Sequence, residues 1–244
     1  MHICFFDIDG TLILTGGAGQ AAFAEAFVED FGIEKWNGRV RFSGRSDRAI
    51  VADLFAEHGI ANSDGNWSRF VAGYLGRLPQ SLAESDGQIL PGVVPLLKTL
   101  ASREDVALGV LTGNMHAGAA HKLAHYNLDH FFEFGGYGDA LLDRDEIAAV
   151  ALTAAKEYLE AAANGKVGVA GAGSPALPPA DFVDVSLVVI GDTEHDVRCA
   201  RAIKATAVAV ATGFTDRPTL IASEPDLLLD DLSDLTPLLE LLSS

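Results

Sequence analysis

Cysteine is nearly missing from this chain of 244 residues: only Cys4 and Cys199 occur. Two thiols on separate predicted elements exclude a disulfide-built scaffold and read as reduced, small apolar fillers. Positive charge is also scarce, with 17 Lys and Arg against 34 Asp and Glu and a formal net charge of -17. Such a surface repels nucleic acid and anionic membranes, so neither is an expected partner. No uninterrupted apolar run approaches the ~20 residues that span a bilayer. No basic stretch precedes the first apolar run, and acids break that run at once. No leader is therefore expected, and the expected location is cytoplasmic. What is present is apolar bulk, at 49% of residues. That is enough for a sizeable core and speaks against global disorder. The length suits one large domain, or one domain with a smaller insertion.

Short apolar runs alternate with helical patterns. Residues 2–6, "VALGVLT" at 106–112, "LVVIGD" at 187–192 and "ATAVAVAT" at 205–212 read as strands covered on both faces. "DLLLDDL" near the end adds an edge strand. Between them, "VVPLLKTLAS", "MHAGAAHKLAHYN", "EIAAVALTAAKEYLEAAA" and "DVRCARAIK" read as helices. Strand then helix, repeated, predicts an α/β fold with a parallel, Rossmann-like sheet.

Residues 16–88 break this rhythm. They hold helical patterns and no clear buried strand, between flanks of linker composition, "TGGAG" and "PQSLAESDGQILPG". The expected organisation is a core of residues 1–15 and 89–244 with a helical cap at 16–88, joined by two hinges. Residues 164–184 are rich in Gly, Ala and Pro. Gly171, Gly173 and Ala176 match a dinucleotide-binding spacing, but Pro175, Pro178 and Pro179 forbid the helix that would have to follow. The segment reads as a surface loop.

The chemistry is expected at strand ends. In open α/β sheets ligands bind beyond the carboxyl ends of the strands. Asp7 and Asp9 stand where the first strand runs out, before Gly10 lets the backbone turn. Thr112-Gly113-Asn114 closes the second strand with a hydroxyl and backbone N–H groups that can hold an anion. Asp192 closes the third, with Asp196 four residues on. If these strands are adjacent, their carboxylates converge and need a cation. Hard oxygen ligands that leave room for water and a phosphate favour Mg²⁺. The competing reading of Asp196 is a helix-start acid favoured by the helix dipole.

With these three motifs in order, and a helical insertion after the first, the sequence resembles the haloacid dehalogenase superfamily, over nearly the whole chain. Its layout is similar to the phosphoglycolate phosphatase-like members. The resemblance implies a phosphatase acting on a small phosphorylated metabolite. Asp7 would be the nucleophile, forming an aspartyl-phosphate, and Asp9 the acid–base group. Thr112 and the Gly113 N–H would bind phosphoryl oxygens. Asp7, the Asp9 carbonyl and Asp192 would hold Mg²⁺, with Asp196 orienting the neighbouring basic group or a metal-bound water. The family usually carries a lysine before the helix preceding the last motif. Here Arg144 stands in that place and takes the phosphate-clamping role. Lys122 is the fallback, and otherwise reads as a solvated surface charge.

One feature of the cap is unusual in so acidic a chain: Arg39, Arg41, Arg45 and Arg48 fall close together. They either pair with Glu25, Glu29, Asp30 or Asp47 or form a positive patch facing the site. Within "FSGRSD", Arg45 is the expected specificity residue, beside a predicted N-cap at Ser46. A phosphosugar mutase and an inactive phosphometabolite-binding module remain alternatives, in a monomer or a homodimer.

Overall fold

The structure, a computed structural model, describes residues 1–34, 42–164 and 185–243. The Gly/Pro-rich segment, its dinucleotide-like spacing, Arg39 and Arg41 lie outside the described residues, apart from Asn164. The strands are β1 (His2–Phe6), β2 (Ile13–Leu14), β3 (Gln88–Ile89), β4 (Val106–Leu111), β5 (Phe134–Gly136), β6 (Ser186–Gly191), β7 (Thr206–Val210) and β8 (Leu227–Leu229). Six of them form one sheet in the order β5-β4-β1-β6-β7-β8, and every pairing in it is parallel.

The apolar strands are continuous because both faces are covered. In β1, Cys4 and Phe6 pack on one face, with Leu96, Leu97, Leu100 and Leu123. Ile3 and Phe5 pack on the other, with Ile147, Ala151, Ala155 and Ala200. The covering helices are α4 (Val93–Ala101) and α5 (His116–His125) on the first face, and α6 (Arg144–Ala163) and α7 (Glu194–Ala202) on the second. Both thiols are buried and unpaired, as read from the sequence.

Sequence reasoning missed β5, which sits beside β4 at the sheet edge. Its three residues, Phe-Gly-Gly, carry little strand propensity.

The insertion holds α1 (Ala18–Phe31), α2 (Asp47–Glu57) and α3 (Asp64–Glu84). They share a separate aromatic core of Phe23, Phe27, Phe55, Phe70 and Tyr74, into which Met115 of the sheet unit also packs. Ser46 caps α2, its side chain accepting from Ala49 N–H at 3.2 Å, as the sequence predicted. The second flank is not a plain linker: α3 runs through Pro79 to Glu84, and β3 beyond it forms an antiparallel ladder with β2, just before the first flank, Ile13 opposite Ile89.

Candidate active site

β1 lies between β4 and β6, with Phe6 opposite both Val110 and Ile190. The three motif-bearing strands are therefore neighbours, and their ends deliver Asp7, Thr112 and Asp192 to one place. After β1 the chain folds back on itself: Leu12 and Ile13 N–H both reach the Ile8 carbonyl, and Gly10 N–H donates to the Ile13 carbonyl at 2.8 Å. Gly10 has φ +92°, and a Cβ there would strike the Asp192 carboxylate. Glycine is required at this turn on both counts.

Asp7, Asp192 and Asp196 are 6%, 1% and 2% exposed, and one oxygen from each lies within 4.8 Å of the others. Burial pushes the Asp7 carboxyl up to about 7, and Asp196 adds to the shift while Arg144 opposes it. Burial, then Asp7 and Asp196, drives Asp192 well above the usual carboxylate range. Three acids forced together in this way are a donor set for a hard divalent cation. Asp192 is fixed by Phe214 N–H at 3.2 Å and by the Thr11 hydroxyl at 3.4 Å.

Asp196 makes two kinds of contact at once. It is the third residue of a capping box with Thr193, which opens α7. Its other oxygen accepts from Arg144 Nη2 at 2.5 Å. The same Nη2 lies 3.4 Å from Asp7 Oδ1. Arg144 is the first residue of α6, after the N-cap Asp143. Arg198 of α7 pairs with Asp143 and Asp145, each at 2.9 Å, and so ties the two helix starts together. Burial alone would lower the guanidinium pKa, but Asp196 and Asp7 outweigh it and raise it. Arg144 Nε is buried and has no partner among the described residues.

Lys122 is not a surface charge. It is 5% exposed, and its Nζ lies 2.6 Å from Asp9 Oδ2 and 2.6 Å from Asn114 Oδ1. The Asn114 amide donates to Asp9 Oδ2 and to Thr112 Oγ1, each at 2.8 Å. Asp9 thus turns its carboxylate away from the three-acid cluster. Thr112 is fully buried, and its hydroxyl draws the Asp7 carboxyl pKa down, against the effect of burial.

The loop before α2 is seated on this site. Asp47 N–H donates to the Gly113 carbonyl at 2.7 Å, and Arg48 N–H to the Gly138 carbonyl at 3.3 Å. A Cβ on Gly113 would collide with the Arg45 carbonyl, and one on Gly44 with the His195 ring. Asp47 Oδ2 accepts from Met115 N–H at 2.8 Å and so supplies the N-terminal acceptor that α5 lacks from its own residues. Burial pushes Asp47 up to about 7, against the pull of Lys122. Arg45 is at the seat, but its guanidinium is turned along α2. It pairs with Asp53 at 2.6 Å, an acid outside the set considered from sequence. Arg48 lies over the Trp67 ring, 4.4 Å from its centroid. Sequence reading gave no role to the side chains of Asn114 or His195, and took Asp47 only as a possible partner for the arginines.

Comparison with known proteins agrees with this architecture. The family profile described as haloacid dehalogenase-like hydrolase matches residues 4–144, and a HAD-hydrolase-like profile matches residues 156–235. The phosphoglycolate phosphatase of Synechococcus elongatus is 29% identical, covering 96% of this chain and 95% of that protein. The phosphoglycolate phosphatase of Agrobacterium fabrum is 25% identical, covering 97% and 91%. Among solved structures, CbbY from Rhodobacter sphaeroides in complex with phosphate superposes with a TM-score of 0.68 at 20% identity, covering 96% of this chain and 95% of that one. With parallel strands, clustered acids and matched profiles in agreement, the chain belongs to the haloacid dehalogenase-like hydrolases.

Proposed function

We propose that this phosphatase hydrolyses a small, phosphoglycolate-like phosphomonoester through an aspartyl-phosphate on Asp7, with Mg²⁺ as its cofactor. The carrying observation is the meeting of Asp7 and Asp192 from adjacent strand ends with Asp196 and Arg144 from helix starts, an acid cluster fitted to a cation beside a buried guanidinium. Asp7, the Asp9 carbonyl and Asp192 would hold the metal. It would supply the charge screening that lets a carboxylate approach a phosphoryl group.

In this reading an Asp7 oxygen attacks phosphorus and the bond to the ester oxygen breaks. Asp9 gives that oxygen its proton, then takes one from the water that cleaves the acyl phosphate. The Thr112 hydroxyl and Gly113 N–H hold phosphoryl oxygens. Arg144 clamps another, and its unpartnered Nε suits that role. Asp196 anchors Arg144 rather than joining the reaction. Residues 16–88 act as the cap that closes over the substrate, on a core of 1–15 and 89–244. The seat of the 42–47 loop on Gly113 and Gly138 supports this division. A screen of phosphorylated metabolites, 2-phosphoglycolate included, with Mg²⁺ and with EDTA tests the reading. Turnover that survives EDTA, or survives Asp7→Asn, overturns it.

A further inference from the structure

We propose that Lys122 is a positioning residue that fixes which oxygen of Asp9 serves the leaving group. The inference rests on the acid–base reading of Asp9 above. It starts from a lysine buried to 5% exposure in a chain with a net charge of -17. A buried ammonium needs close partners, and those of Lys122 are specific. Its Nζ meets Asp9 Oδ2 and Asn114 Oδ1, both at 2.6 Å. Asn114 turns its amide back to the same Asp9 Oδ2, at 2.8 Å. Oδ2 therefore accepts two hydrogen bonds, while no donor among the described residues reaches Oδ1. Asp9 is thereby held in one orientation, with Oδ2 committed to Lys122 and Asn114 and Oδ1 left to serve the ester oxygen.

The arrangement lies at the junction with the insertion. A Cβ on Gly19 of α1 would sit 3.4 Å from Lys122 Nζ, so the first cap helix packs against the ammonium with no side chain between them. Asn114 is further set by Thr112, whose Oγ1 accepts from its amide at 2.8 Å. The nucleophile's neighbour Thr112 and the acid–base group Asp9 are thus joined through one side chain, which Lys122 holds.

The experiment compares leaving groups. Expulsion of glycolate from 2-phosphoglycolate needs a proton, whereas 4-nitrophenolate leaves without one, and kcat/KM reports the phosphoryl-transfer step. Lys122→Met should lower kcat/KM for 2-phosphoglycolate about thirtyfold and for 4-nitrophenyl phosphate less than about threefold, as loss of an oriented acid does. Inhibition by inorganic phosphate should stay within about twofold of wild type, and Lys122→Arg should recover part of the loss. Asn114→Ala removes the second donor and should give the same leaving-group pattern, which keeps the test decisive if Lys122→Met folds poorly. Equal losses on both substrates, or weakened phosphate inhibition, would make Lys122 a phosphate ligand and overturn the proposal. Asp9→Asn is the control on the underlying reading. If it keeps wild-type turnover of 2-phosphoglycolate, that reading fails. If it is inactive while Lys122→Met matches wild type, only the present inference fails.

Discussion

The guanidinium of Arg144 and the carboxylate of Asp196 meet at 2.5 Å, with both side chains at most 5% exposed. The pair joins the start of α6 to the start of α7, and it is the support from which Arg144 reaches Asp7. Removing one partner of a buried pair leaves the other charge uncompensated, a loss of about 3–5 kcal/mol. Arg144→Met should therefore lower folding stability by several kcal/mol in a urea titration and abolish turnover. Arg144→Lys should restore most of the stability. It should restore little of the turnover, because one ammonium cannot replace a planar fork serving two carboxylates and a phosphoryl group.

Asp7 supplies a pH signature. Its pKa rises from 3.8 to about 7 on folding, chiefly through burial and then through Asp196. The folded state keeps this proton longer than the unfolded chain, so stability is highest below the lower value and declines as pH climbs towards the upper one. EDTA-treated protein should show a Tm that falls between about pH 4 and pH 7. Mg²⁺ should raise Tm more at the upper end of that range, where the carboxylates no longer hold protons against it. Asp7→Asn should flatten the pH slope. A Tm rising over this interval would refute the assignment.

Gly44 has φ +70°, and its missing side chain is what lets the His195 ring approach. Gly44→Ala should cost about 1–2 kcal/mol in backbone strain and should also hold the loop off its seat. KM should rise while the melting of the sheet unit changes little. His195→Ala in the same protein should relieve the collision but not the dihedral strain. The two substitutions should therefore couple when KM is measured through a double-mutant cycle.

Arg45 is read as a specificity residue, yet the structure pairs it with Asp53, at 28% and 61% side-chain exposure. A pair this exposed contributes about 0.2–1 kcal/mol to stability, so a carboxylated substrate can compete for the guanidinium. Arg45→Ala should raise KM for 2-phosphoglycolate about tenfold and leave 4-nitrophenyl phosphate nearly unchanged. Asp53→Ala should lower KM for the acidic substrate by releasing the arginine. Unchanged KM in both variants would reduce Arg45 to a surface charge.

The sheet was legible in the sequence because buried parallel strands are short unbroken apolar runs, and their ends are where acids and glycines reappear. Asp7, Thr112 and Asp192 stand at neighbouring strand ends as that logic has it, whereas Arg144, at the start of α6, came from the family resemblance. Lys122 was misread because a lone lysine on a helix is ordinarily solvated. The signal against this was its place on the buried stripe of α5, with Gly118, Ala119 and Leu123. That spacing of three and four residues assigns it to the inner face. Asp53 was missed as the partner of Arg45 because the two stand eight positions apart, and local charge counting considered nearer or earlier acids. The seat of the 42–47 loop on Gly113 and Gly138 depends on tertiary contact between distant segments, which no periodicity records.

The β2–β3 ladder has a mechanical consequence. Two chains enter the helical insertion, and they do so hydrogen-bonded side by side, with Leu14 opposite Gln88 and Ile13 opposite Ile89. A load hung from two separate threads can twist and drift; one hung from a stitched ribbon bends across the ribbon and resists rotation about it. In the proposed cap closure the insertion would be steered along a single arc, each return bringing the same glycines under the same loop. The ribbon also begins at Ile13, whose carbonyl accepts from Gly10 N–H beside Asp9. The ladder and the carboxylates Asp7 and Asp9 are consequently anchored in one turn of chain. In the proposed reading, the helices beyond Leu14 are free to differ in sequence to fit other substrates while their point of landing is preserved.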